Sequence, residues 1–438
     1  MGVGVGKGRS ERTLNSARPE NKSFVGDAPR VVVLGAGFGG LRVARALGGK
    51  PVDVTLIDQN NYHLFQPLLY QVATSTLSPD SIAYPVRGAL QDKRNQHFQL
   101  GTVQSVDLAA RQVVTGSAVT PYDYLVIAVG GQTNFFGIES VEQHSFGIKD
   151  LQDATAIRNH LLRQFESAVL EPDPQKRRAM LTFVIVGGGP TGVECAGAIS
   201  ELIRLVLRRD YPRLNFDDVQ VILLEMMDKV LAMLPEELGQ ATVEALRKKH
   251  VEVRLQASVA SYDGQEVCLK DGSTIPTNTL IWSAGVRAST LLDTLDLEQD
   301  RAGRVMVGST LQVPGRPEVF VIGDAAHLEG KDGKPLPMVA PVAMQQASTA
   351  ARNILHAING EPLEDFHYRD RGTMATIGRN HAVAHIGSWK FRGFIAWLMW
   401  LAVHIVQLIG FRNRLAVLID WGWSYLFYQR AVRLIGPP

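Results

Sequence analysis

Two glycine-rich turns, each set between a β-branched apolar run and a helix-compatible stretch, restrict this 438-residue chain more than any other feature. The first is Gly35-Ala36-Gly37-Phe38-Gly39-Gly40. It follows Arg30-Val31-Val32-Val33-Leu34 and precedes a helical stretch, Leu41 to Leu47, and then a strand, Val52 to Ile57, ending in Asp58. A GxGxxG between strand and helix, with an acid about 20 residues on, is the pattern of a dinucleotide-binding βαβ unit. The glycines differ in what they do physically. Gly35 makes the tight turn, Gly37 lets the backbone approach a pyrophosphate, and Gly40 lets helix and strand pack closely. The helix N-terminus attracts phosphate, and Asp58 accepts from ribose hydroxyls.

The second turn is Gly187-Gly188-Gly189-Pro190-Thr191-Gly192, about 150 residues further on, with Phe183 to Val186 before it and a helical stretch from Gly192 to Arg208 after it. A strand from Val219 to Leu224 then ends in Glu225. A carboxylate there binds an adenosine 2′-hydroxyl and repels a 2′-phosphate, which favours NADH over NADPH; the alternative is a solvated strand end. Further strands end at Gly130, at Gly285 and at Gly323-Asp324-Ala325-Ala326. Asp324 can reach the ribityl and pyrophosphate of a flavin, or simply cap a helix. Two dinucleotide sites in one chain suit a tightly held FAD and an exchanging NADH/NAD, with hydride passing between cofactors.

The remaining composition excludes rivals. Lys plus Arg is 45 and Asp plus Glu 43, a net charge of +2, so no global field favours nucleic acid. The two cysteines, Cys195 and Cys268, are too far apart for a CxxC pair, so neither a disulfide framework nor a metal site is expected. Residues 1–29 carry no apolar core for a secretion signal and read as a disordered tail.

In combination, the two turns, Asn61 to Gln71 (NYHLFQPLLYQ), Pro190-Thr191-Gly192-Val193-Glu194, Ala340-Pro341-Val342-Ala343-Met344-Gln345 and a Trp-rich C-terminal segment resemble the type II NADH dehydrogenases, single-chain NADH:quinone oxidoreductases. The resemblance runs from about Arg30 to the C-terminus. It implies that Gly37 to Gly40, Asp58, Gln59, Val103 and Asp324 hold FAD, and that Ala340 to Gln345 pass under the isoalloxazine where flavin and quinone meet. Glu194 matches the family's glutamate at the nicotinamide and flavin edge, with a part in substrate binding or proton delivery. Read without the resemblance, it is equally a first-turn glutamate favoured by the helix dipole. One position departs: the family often carries glutamine where this chain has Pro341, which has a rigid φ and no side-chain donor. Gln345 is therefore the quinone-site candidate that remains. The cysteines suit neither a disulfide reductase nor a sulfide:quinone reductase.

From Gly393 to Phe411 the chain carries no formal charge, and five of the six tryptophans (Trp389, Trp397, Trp400, Trp421, Trp423) fall in or beside this region with six basic residues and only Asp420 opposing them. By length the segment could span a bilayer, but His404 and Gln407 lie within it. Two helices lying in the membrane interface are the favoured expectation, with a buried helical hairpin or a dimer contact as the alternative.

The expected architecture is α/β: two Rossmann-like dinucleotide-binding domains, the FAD domain (30–150 and 301–370) split around an inserted NADH domain (151–300), and a C-terminal helical membrane-binding region (371–438). The expected partners are NADH, a membrane quinone and the lipid surface at the cytoplasmic face of the cell membrane, without nucleic acid; a homodimer is left open. The rivals are a reductase of a small carrier protein of the ferredoxin or rubredoxin type, and a non-catalytic NADH-binding protein.

Overall fold

Strand Arg30–Leu34 turns Val31 and Val33 to one side and Val32 and Leu34 to the other, and all four are buried in two different apolar clusters. A strand buried on both faces belongs to a covered parallel sheet. In the computed structural model, which describes residues 1–2, 28–90, 93–116, 118–427 and 432–436, this strand sits inside a six-stranded sheet. Most of the expected N-terminal tail lies outside the described residues. The order is Gln312–Val313, Arg316–Val321, Tyr124–Ile127, Arg30–Leu34, Asp53–Asp58 and Gln96–Leu100, parallel except for the first strand.

A second sheet repeats the design with strands Phe146–Gly147, Thr279–Trp282, Thr182–Val186, Gln220–Leu224 and Val251–Arg254, all parallel. Phe183 and Ile185 face one cluster, Val184 and Val186 another. The first sheet takes strands from both sides of this unit in sequence, so the FAD-type domain is split around an insertion. Phe146–Gly147 lies before residue 151 yet pairs with Thr279–Trp282, so the inserted sheet recruits its edge from the linker. The two linkers themselves pair, antiparallel, Gly131–Thr133 with Val286–Ala288.

The helix expected over 192–208 is α-helical over Pro190–Glu201 and π-helical over Leu202–Leu207. The uncharged run 393–411 is also divided. Helix Phe394–Gln407 stops at Leu408, whose backbone is extended, and Gly410, at φ +88°, turns the chain into helix Phe411–Phe427. A Cβ on Gly410 would lie 2.4 Å from the Tyr84 ring, so the turn fits only glycine. Among the described residues no helix is long and apolar enough to cross a membrane. This hairpin follows a three-stranded antiparallel sheet, Thr373–Thr376, Ala382–Ile386 and Trp389–Gly393. Its inner face, with Trp400, Leu408 and Val417, joins the same apolar cluster as Ile185, Val193 and Phe65. Its outer face leaves Ile395, Val406, Phe411 and Ile419 in solvent, Phe411 at 81% exposure.

Candidate functional site

The first glycine turn opens onto a cavity of about 1030 Å³, at the upper end of the roughly 300–1000 Å³ of cofactor pockets. Each glycine is explained locally. Gly35 has φ +96°, and a Cβ there would meet Ala128 O at 2.4 Å; a Cβ on Gly40 would lie 1.8 Å from Gly35 O. Gly37 meets nothing within 4 Å and faces open space, at the start of helix Phe38–Leu47, whose N-terminus has no side-chain cap. Its free N–H groups are an anion site. Asp58 is fixed by two backbone donors, Ala36 N–H to Oδ2 at 2.6 Å and Asn60 N–H to Oδ1 at 2.7 Å. Burial raises its pKa, and the two backbone donors pull it back. Its remaining lone pairs face the cavity.

Of the residues expected at FAD, Gly35, Gly37, Phe38, Gly39, Asp58, Gln59, Val103, Gly130, Gly323, Asp324, Ala340 and Ala343 line this one cavity, although residues 35–103 and 323–343 lie far apart in the chain. Gly40 packs beneath it, and Val342 is buried in the core. Gly323 N–H donates to Gln346 Oε1 at 2.7 Å, tying the Gly-Asp turn to helix Ala340–Asn359. The shape, the uncapped helix and the constrained carboxylate fit FAD.

The second turn repeats the geometry. A Cβ on Gly192 would lie 1.9 Å from Gly187 O, Gly187 has φ +108°, and Gly189 again faces open space at an uncapped helix start. Glu225 accepts from Gly188 N–H at 2.5 Å and from Met227 N–H at 2.7 Å, the same pair of backbone positions that hold Asp58. Pro190 sits at the first helical position and Thr191 is exposed above it. Gly285, at φ +80°, brings its backbone against Phe136.

Glu194 lies one turn into that helix, yet it is buried. Thr376 N–H donates to Oε1 at 3.3 Å, and the Trp400 ring closes the other side. Burial pushes the carboxyl up to about 8, against a smaller pull from Thr376 N–H and the Trp400 indole. The indole Nε1 itself makes no hydrogen bond of ordinary geometry. Glu194 thus carries a proton at neutral pH. Cys195 beside it is buried, and its thiol is pushed up to about 12, so it packs as an inert hydrophobe.

Three features had no signal in the sequence. Lys149 reaches Asp324 Oδ2 at 3.4 Å and lines the flavin cavity. It is held by Asp153, which accepts from Lys149 N–H and forms a capping box with Asp150. His404 stacks on Trp400 at 3.9 Å, and burial lowers its pKa to about 4. A small chamber of about 100 Å³, lined by Tyr70, Gln71, Thr376, Trp397, Trp400 and Trp421 among others, lies between Glu194's cover and the hairpin. Conversely, Gln345 does not join the flavin cavity: its amide closes a reciprocal pair with the backbone of Arg369. Met344 turns into a separate cavity under the hairpin turn.

Comparison with known proteins decides the family. The pyridine nucleotide-disulphide oxidoreductase family matches residues 29–347, and the NDH2 C-terminal domain matches 371–429. The type II NADH:quinone oxidoreductase Ndh of Mycobacterium tuberculosis is 41% identical over 416 residues, covering 92% of this chain and 89% of its own. The chain belongs to the type II NADH dehydrogenases. NDH2 of Plasmodium falciparum, solved in complex with NADH, shares the fold at 21% identity and TM-score 0.87, over 94% of this chain and 100% of that one. A ferredoxin reductase from Rhodopseudomonas palustris superposes at 18% identity and TM-score 0.64, over 82% of each chain. The type II NADH dehydrogenase fold therefore accounts for the C-terminal sheet and hairpin as a named domain of this family.

Proposed function

We propose that this type II NADH dehydrogenase binds FAD at the first glycine turn and NADH at the second, and reduces a membrane quinone without moving protons across the bilayer. FAD held there would supply the redox chemistry, taking a hydride from NADH and delivering two electrons to the quinone, which takes up two protons as it becomes the quinol. The chain's own work is alignment and proton supply. The two turns fix both dinucleotides by backbone N–H groups, Asp58 and Glu225 take the riboses, and the paired linkers hold the two domains in register.

The observation that carries this proposal is the place of Glu194. A protonated carboxyl from the NADH domain is sealed by Thr376 and Trp400, both from the C-terminal domain, and the aromatic chamber lies on the far side of that seal. A donor of pKa near the working pH is suited to general acid catalysis. The chamber is smaller than a substrate pocket, so a quinone ring enters only as the indoles part. The exposed apolar face of the hairpin, where Ile395, Val406, Phe411 and Ile419 stand together in solvent, supports peripheral attachment to a bilayer in which the quinone is dissolved.

Anaerobic stopped-flow tests this directly: NADH should bleach the flavin absorbance, and a water-soluble quinone should restore it at a rate that supports turnover. Restoration by a small ferredoxin but not by any quinone would move the acceptor to a carrier protein. Protein reconstituted in sealed vesicles should oxidise NADH without building a proton gradient.

A further inference from the structure

The cavity under the hairpin turn is separate from the flavin cavity and from the aromatic chamber, sharing only Phe38 with the first. It has a volume of about 690 Å³ and lies between helix Phe38–Leu47, helix Ala340–Asn359 and the turn Leu408 to Gly410. Three guanidinium groups line it, from Arg42, Arg45 and Arg414, and no carboxylate does. None of the three has an ion-pair partner among the described residues. Arg42 donates to Ser348 Oγ at 2.7 Å, and Arg414 donates to the carbonyls of Leu408 and Val406, bracing the turn. Arg45 has no side-chain partner among the described residues, and it stands near His63, whose ring lines the cavity and whose pKa is lowered, first by burial and further by the Arg45 charge.

Three uncompensated cations around a concave surface call for an anion with several acceptor oxygens. Immediately outside stand Val406, Phe411 and Leu415, all exposed. Charge within and apolar surface at the rim match one class of ligand. We propose that this cavity seats the phosphate-bearing headgroup of an anionic phospholipid, with its acyl chains lying along the hairpin. The site uses Arg42 and Arg45 of the FAD domain, so it clamps that domain, and not only the hairpin, onto the bilayer. It rests on the hairpin meeting a membrane, and it adds a lipid preference to that contact.

The test uses FAD-loaded full-length protein and vesicles of phosphatidylcholine with or without phosphatidylglycerol. Arg42→Gln/Arg45→Gln is compared with Lys331→Gln/Lys334→Gln, which removes the same charge from an exposed loop. The expected result is a loss of about ten-fold in affinity for phosphatidylglycerol vesicles in the arginine pair and about two-fold or less in the lysine pair, with neutral vesicles bound equally by all. Turnover of NADH with ferricyanide should match the wild type throughout, which checks folding. Equal losses in the two pairs would reduce the effect to net charge and overturn the site. A retained phosphatidylglycerol preference with a raised KM for a long-tailed quinone would make the cavity the quinone's path instead. Inorganic phosphate, matched in ionic strength by chloride, should leave the preference intact; abolition would assign the site to a free anion. If the wild type binds neither kind of vesicle, the membrane attachment itself falls, whereas equal binding to both kinds by every variant removes only the headgroup site.

Discussion

At Glu194 a carboxyl one turn into a helix is closed in by a strand 182 residues away. Its pKa moves from 4.5 to about 8 because burial disfavours the charge. As pH rises through that window the unfolded chain loses this proton before the folded one, so stability falls between about pH 4.5 and 8 and levels off above. Glu194→Gln should remove that slope, so its melting temperature gains on the wild type as pH rises, measurable by scanning fluorimetry. The same substitution should slow quinone-dependent reoxidation of the flavin by about 10² or more while NADH still bleaches it; equal slowing of both half-reactions would count against proton delivery. Glycines make a second residue-scale contrast. Gly37→Ala meets open space and should fold normally but retain less FAD, whereas Gly40→Ala drives a methyl into Gly35 O and should destabilise the domain by more than about 3 kcal/mol. The ratio of flavin to protein absorbance and the melting temperature separate the two. At Glu225 the expected outcome of Glu225→Ala is a rise in NADPH use relative to NADH, read as the ratio of the two kcat/KM values.

The elements that matter most for access are the two hairpin helices, and their docking rests on a few polar contacts within an apolar seam. Asn413 Nδ2 donates towards the carbonyls of Asp80, Ser81 and Ala83 at 3.1 to 3.2 Å, and Trp421 Nε1 donates to Gln71 Oε1 at 2.7 Å. Asn413 is buried, so Asn413→Leu leaves buried carbonyls unpaired at a cost of about 1–3 kcal/mol. Faster amide exchange over 411–427, with the nucleotide turns unchanged, is the expected readout. His404 acts in the opposite pH direction to Glu194. Its folded pKa is depressed from 6.5 to about 4, so its contribution is intact above about 6.5 and is lost as pH falls through 4. His404→Leu should flatten the acid limb of the stability profile. The helical hairpin also explains a limit of pattern reading. The sequence favours two helices here, although length alone would allow a span; Gly410 and the extended Leu408 make the division, and the ring of Tyr84 that makes glycine necessary is invisible in the local sequence.

Across the whole molecule, the C-terminal domain shares one apolar cluster with the NADH domain, so it is part of the folded core as well as the proposed membrane contact. Deleting everything after Arg379 would uncover Trp400's partners and Glu194 along with the membrane face. The cleaner separation is Ile395→Glu/Val406→Glu/Ile419→Glu, three exposed positions on the outer face. Vesicle binding should fall at least about 100-fold while NADH:ferricyanide turnover persists, by sedimentation and a spectrophotometric assay. What the sequence determined alone was everything carried by short-range geometry. A positive φ at Gly35 or Gly187, and a helix packed against the turn at Gly40 or Gly192, can be met only by glycine, so the two dinucleotide folds are written in six-residue runs. The acids closing the next strands were legible for the same reason. What the tertiary structure decided depends on distant segments meeting. Lys149 and Asp324, 175 residues apart, come together at the flavin cavity; Gln345 spends its amide on Arg369; and the Glu194 carboxyl has its raised pKa only because packing beside Thr376 and Trp400 buries it. Desolvation is a property of the packed environment, and no spacing within a single segment encodes it.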